Sequence, residues 1–125
     1  MNGNKFFLDT NIILYILSGD KTISTYLQNK ILYTSIICEI ELFSFKSISE
    51  SQEKEIKNFL KEFKVISIDE TVKDISIAFR KKYSLKIPDI IIAASSIALE
   101  IPLVTADKGF KQISELTIDF YNIEL

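Results

Sequence analysis

The chain has 125 residues, 47% hydrophobic and 26% charged, with a formal charge of −2, three glycines, two prolines and no histidine. That suits one ordered domain with a sizeable core, and it offers no global attraction to a polyanion. Without histidine there is no Ser–His or Cys–His pair and no imidazole for zinc, while the single cysteine, Cys38, excludes an internal disulfide and a thiolate metal site.

In chain order, residues 6–8 begin a strand and 12–17 form a short buried helix stopped by Ser18-Gly19-Asp20. A second short helix is expected over 21–29, a strand over 31–34, and an apolar, helix-length segment over 36–45. Ser49 with Gln52 and Glu53 resembles a capping signal for a helix over 51–64, whose apolar Ile56, Phe59, Leu60 and Phe63 fall at helical spacing. A strand over 65–68 and a helix over 70–83 follow. Pro88 opens a helix over 89–99 that is apolar or small nearly all round and should be buried on several sides. A strand over 102–105, a helical turn over 109–113 and a strand over 118–123 complete the chain. Strands alternating with helices predict an α/β fold whose parallel sheet is covered on both faces. The apolar runs fall short of the ~20 residues that span a bilayer. Asp9 and Asn11 interrupt what would be a signal-peptide core, so a reducing cytoplasm is the expected location.

The acids are placed suggestively. In an open parallel sheet, ligand sites collect beyond the carboxyl ends of the strands. Asp9, Asp69 and Asp107 each follow a predicted strand, Glu39 and Glu41 lie in the segment after the second strand, and Asp89 starts the buried helix. Asp69 is best explained as a helix N-cap, whereas for Asp107 a cap on the turn at Gly109 and a place in a site are equally good explanations. Asp89 would complement a helix dipole, although so apolar a helix has little use for a decorative charge. Glu39 and Glu41 stand about 200° apart around a helix, so only one can join a small site, and periodicity does not choose between them. Asp9 lacks a clear capping box and is the hardest to explain as a cap alone. Two like charges about 4 Å apart repel by about 4 kcal/mol at an effective dielectric near 20. A cluster of four therefore calls for protonation or a hard, oxygen-preferring cation.

The runs FLDTNIIL with Asp9, SIICEIEL with Glu41, IPDIIIAASSI with Asp89 and LVTADKGF with Asp107 resemble the PIN-domain nucleases, above all the small ribonuclease toxins of VapBC-type toxin–antitoxin pairs. The four motifs occur in family order and span essentially the whole chain. The resemblance implies a single PIN-like domain over 1–125, a three-layer sandwich with a mostly parallel central sheet flanked by helices. In the family the acid lies six residues after a serine near the end of the second strand, which selects Glu41, since Ser35 stands six residues before it. The resemblance further implies that Asp9, Glu41, Asp89 and Asp107 are catalytic and hold one or two Mg²⁺ or Mn²⁺ ions, with Asn11 and Thr105 orienting them. Metal-activated water would then cut RNA to a 5′-phosphate and a 3′-hydroxyl. A homodimer and a cognate antitoxin whose tail enters the groove are implied as well. Relatives often carry glycine where this chain has Ser44, which should alter packing only locally. Lys108 and Lys111, beside Asp107, are candidate phosphate contacts.

Two other classes share features of this layout. In haloacid-dehalogenase-like phosphatases an aspartate after the first strand is the nucleophile, but a second aspartate is wanted where this chain has Asn11. A non-enzymatic phospho-acceptor module wants an acidic pair after the first strand and an accepting aspartate after the third. Here Asp9 stands alone and Asp69 fits a cap.

Overall fold

In a computed structural model that describes residues 3–122, five strands form one sheet in the order β3-β2-β1-β4-β5, every neighbouring pair parallel. The elements are β1 (Lys5–Leu8), α1 (Thr10–Leu17), α2 (Lys21–Tyr26), β2 (Ile31–Ser35), α3 (Ile36–Phe43), α4 (Glu50–Leu60), β3 (Phe63–Ile66), α5 (Glu70–Lys82), α6 (Ile87–Ala98), β4 (Leu103–Thr105), a 3₁₀ turn (Lys108–Gln112) and β5 (Ile118–Phe120).

Side-chain alternation along the strands sends residues to two faces. Phe6, Leu8, Leu32 and Val104 pack with Ile12, Ile13, Ile23, Ile56 and Leu60 of α1, α2 and α4. Phe7, Tyr33 and Leu103 pack on the opposite side with Phe79, Ile90 and Ala93 of α5 and α6. Helices therefore cover both faces, as the strand–helix alternation predicts. In α6 every residue from Ile90 to Ser96 is buried. Ser95 and Ser96 are accommodated there because each hydroxyl donates to a main-chain carbonyl, of Ile91 and Ile101 respectively.

Several predicted boundaries shift, each for a visible reason. The helix expected to run to residue 64 ends at Leu60, and β3 starts at Phe63 rather than Val65. Phe63 is claimed by the sheet, in register with Leu32 of β2. Its ring still meets Phe59, 5.1 Å between centroids, across the helix–strand turn. The capping box at Ser49 and Gln52 is formed. The helix expected over 21–29 stops at Tyr26, and Asn29 takes a left-handed φ of 64° on the way into β2. Helix α1 begins at Thr10, two residues earlier than periodicity suggests, because Asp9 caps it. The last strand ends at Phe120, so Tyr121 and Asn122 fall outside the strand expected to include them, and Ile123 lies outside the described residues. Ser44 takes φ −95° and ψ 2°, a conformation open to any residue, so the position where relatives often carry glycine makes no demand for it here. Among the described residues, no helix is long and apolar enough to cross a membrane.

Candidate active site

The chain moves from β1 outward through β2 to β3, then returns to the other side of β1 with β4 and β5. The topological switch point thus lies between β1 and β4, where open α/β sheets place their ligand sites. Asp9 directly follows β1, and Asp107 stands two residues beyond β4. An open cleft of about 390 Å³ lies at this point, and Asp9, Glu41, Asp89 and Asp107 all line it, with Asn11 beside them and Ile92 and Phe110 supplying apolar wall.

Each acid is delivered by a different piece of local structure. Asp9 is only 5% exposed. Its Oδ1 accepts from the Ile12 amide at 3.1 Å, capping α1, and its Oδ2 accepts from the Thr105 hydroxyl of neighbouring β4. Capping and site placement are thus served by different oxygens of one carboxylate. Glu41 lies on the exposed side of α3, and the Thr10 hydroxyl donates to its Oε1 at 2.6 Å. Asp89 sits in the first turn of α6, after Pro88, and the burial of the residues that follow fixes the rotation that leaves it at the cleft. Asp107 accepts at Oδ1 from the Gly109 amide at 2.8 Å, while its own amide donates to the Thr105 hydroxyl at 3.0 Å. Gly109 makes that close approach easy, because a Cβ there would stand 3.1 Å from Asp107 Oδ1.

The electrostatics follow from this packing. Burial pushes the Asp9 carboxyl up to about 6, against the pull of its bonds from Thr105 and Ile12; the charges of Asp107 and Asp89 push it further up. Asp89 is raised as well, by burial first and then by the charges of Asp107 and Glu41, with Lys86 at the start of α6 opposing. The carboxylates therefore sense one another across the cleft. Among the described residues, no three of them stand close enough as placed to hold a metal ion. The donor set itself, four carboxylates and no nitrogen or sulfur, fits a hard divalent cation.

The remaining sequence-predicted residues separate clearly. Thr105, completely buried, joins Asp9 to the Asp107 backbone. Asn11 lines the cleft from an exposed position on α1. Glu39 lies away from it, beside Phe43, Leu60 and Lys61. Asp69 accepts from the Val72 amide at 2.9 Å as the cap of α5 and is not among the cleft residues. Neither Lys108 nor Lys111 lines the cleft, and the Lys111 ammonium rests 3.9 Å from the centre of the Phe120 ring. Two contributors escaped the sequence reading, Thr10 and Lys86. The Thr in LDTN was available as a signal, because a hydroxyl adjoining an acid can serve a second acid; nothing in the sequence singled out Lys86.

A family model described as PIN domain matches residues 6–116. No curated protein matches the sequence. Among solved structures, a toxin–antitoxin complex from Klebsiella pneumoniae is similar at 28% identity and a TM-score of 0.80, covering 94% of this chain and 98% of that one. VapBC-1 from nontypeable Haemophilus influenzae is similar at 25% identity and a TM-score of 0.76, over 93% of this chain and 97% of that one. VapBC2 from Rickettsia felis, solved bound to a DNA fragment from its promoter, shares the fold at 22% identity and a TM-score of 0.81, over 94% and 99% of the two chains. With a match that runs from β1 past the 3₁₀ turn and takes in all four cleft acids, the chain belongs to the PIN domain family.

Proposed function

We propose that this protein is a divalent-metal-dependent endoribonuclease, the toxin of a toxin–antitoxin pair, built as one PIN-like domain over residues 1–125. The observation that carries the reading is the meeting of Asp9, Glu41, Asp89 and Asp107, from four separate elements, around one cleft at the switch point of the sheet. Family membership and the similar toxin–antitoxin structures support it.

Asp9, Glu41, Asp89 and Asp107 would hold Mg²⁺ or Mn²⁺. A cation held there lowers the pKa of water and offsets charge on phosphoryl oxygens, which no histidine is present to do. Thr105 holds Asp9 in orientation through the hydroxyl it donates, and its acceptance from the Asp107 amide ties the two acids to one anchor. Asn11, which lines the cleft beside the acids, would help to orient them. Hydrolysis joins a water oxygen to phosphorus as the bond to the 3′ oxygen breaks, leaving a 5′-phosphate and a 3′-hydroxyl. Lys108 is an exposed cation beside Asp107 and suits a peripheral phosphate contact; Lys111 would first have to leave the Phe120 ring.

The antitoxin partner would bring a basic side chain to the four acids, and the toxin would act in the cytoplasm as a homodimer. Asp89→Asn and Asp107→Asn test the reading. Each should abolish cleavage of labelled RNA with an unchanged circular dichroism spectrum. A folded variant of either that still cuts at the wild-type rate would remove the four-carboxylate site from consideration.

A further inference from the structure

Glu41 differs from the other three acids in how it is held. Asp9 and Asp107 are short side chains pinned by backbone amides, and Asp89 is fixed by a helix whose next seven residues are buried. Glu41 is a longer, exposed side chain on α3. Its bond from Thr10 bridges 31 positions in sequence. Thr10 immediately follows Asp9 and is the first residue of α1, so the Asp9 cap fixes its backbone as well. At 2.6 Å the contact is a short hydroxyl–carboxylate bond of the stronger, charge-assisted kind. It engages Oε1 and leaves Oε2 for a cation.

We infer that Thr10 is a positioning residue, which keeps the Glu41 carboxylate at the cleft with one oxygen free for a divalent cation. This rests on the four-carboxylate reading of the cleft. Removing a partner that orients a metal ligand typically lowers metal affinity by 10–100-fold. Thr10→Val keeps the side-chain shape and removes the hydroxyl; Thr10→Ser keeps the hydroxyl and removes the methyl.

The test is calorimetric titration of Mn²⁺ into the full chain, with thermal melts to confirm folding. Thr10→Val should bind at least about tenfold more weakly, whereas Thr10→Ser should stay within about threefold of wild type. In a Glu41→Gln background, Thr10→Val should cost nothing further, because the bond it removes has lost its charged acceptor. Wild-type affinity in Thr10→Val would overturn the proposal. So would equal weakening in Thr10→Ser, which would make the methyl group the cause, or full additivity in the double variant. Failure of the wild type to bind Mn²⁺ would overturn the four-carboxylate reading first, and this proposal with it.

Discussion

Replacing Asp9 with asparagine should make the metal-free protein more stable at neutral pH. The Asp9 carboxyl moves from an ordinary 3.8 to about 6 on folding, with burial as the main cause. That difference corresponds to about 3 kcal/mol of destabilisation once the group is ionised in both states. The sign follows from linkage. A carboxyl whose folded pKa is raised favours the native state below about 3.8, and that advantage is lost as pH rises through about 6. Asparagine has no such dependence. It keeps an oxygen for the Ile12 amide, but its NH₂ must face a Thr105 hydroxyl that now donates to Asp9. Leaving the Thr105 proton without its acceptor costs about 1–2 kcal/mol. Asp9→Asn should therefore gain about 1–2 kcal/mol at pH 7.5, and the gain should shrink by about 2 kcal/mol at pH 4.5. Urea unfolding in EDTA, followed by circular dichroism at both pH values, measures this directly. A variant less stable than wild type at pH 7.5, or a difference that does not change with pH, would refute the reasoning.

Three further substitutions probe the cleft and its surroundings. Thr105→Val removes the donor to Asp9 and the acceptor of the Asp107 amide, which should cost about 1–3 kcal/mol in urea unfolding. It should also push the Asp9 pKa further up, so the pH-dependent loss of stability should extend to higher pH. Glu39→Gln should leave RNA cleavage within twofold of wild type, because Glu39 faces away from the cleft toward Leu60 and Lys61. Glu41→Gln should reduce cleavage by about two orders of magnitude or more, in keeping with loss of a cation ligand. Equal losses in the two glutamate variants would break the assignment.

Much of the architecture was legible because strands and helices alternate with distinct hydrophobic periods, and because two of the cleft acids, Asp9 and Asp107, follow predicted strands. The end of α4 was not. Phe63 continues the apolar spacing of Ile56, Phe59 and Leu60, and only its pairing with β2 shows that it belongs to a strand. Asp9 was harder still. Its sequence context lacks a capping box, yet the carboxylate both caps α1 and accepts from Thr105. Local pattern offered those roles as alternatives, and they coexist because a carboxylate has two oxygens. Thr10 and Lys86 act on acids carried by other elements or by the next turn. Contacts set by tertiary packing leave no periodic trace. The same limit applies to Lys111, whose neighbour Asp107 in sequence is not its neighbour in contact, because the Phe120 ring of β5 holds the ammonium instead.

The central claim is that the crowded acids at the switch point exist to hold a cation that cuts RNA. The most direct measurement incubates the purified wild-type chain and Asp9→Asn with end-labelled RNAs of mixed sequence, in Mg²⁺, in Mn²⁺ and in EDTA. The account predicts cutting by wild type with metal, 5′-phosphate product ends, silence in EDTA and silence from the folded Asp9→Asn variant. Equal cutting in EDTA, cutting by Asp9→Asn at the wild-type rate, or no cutting by folded, metal-loaded wild type would contradict it.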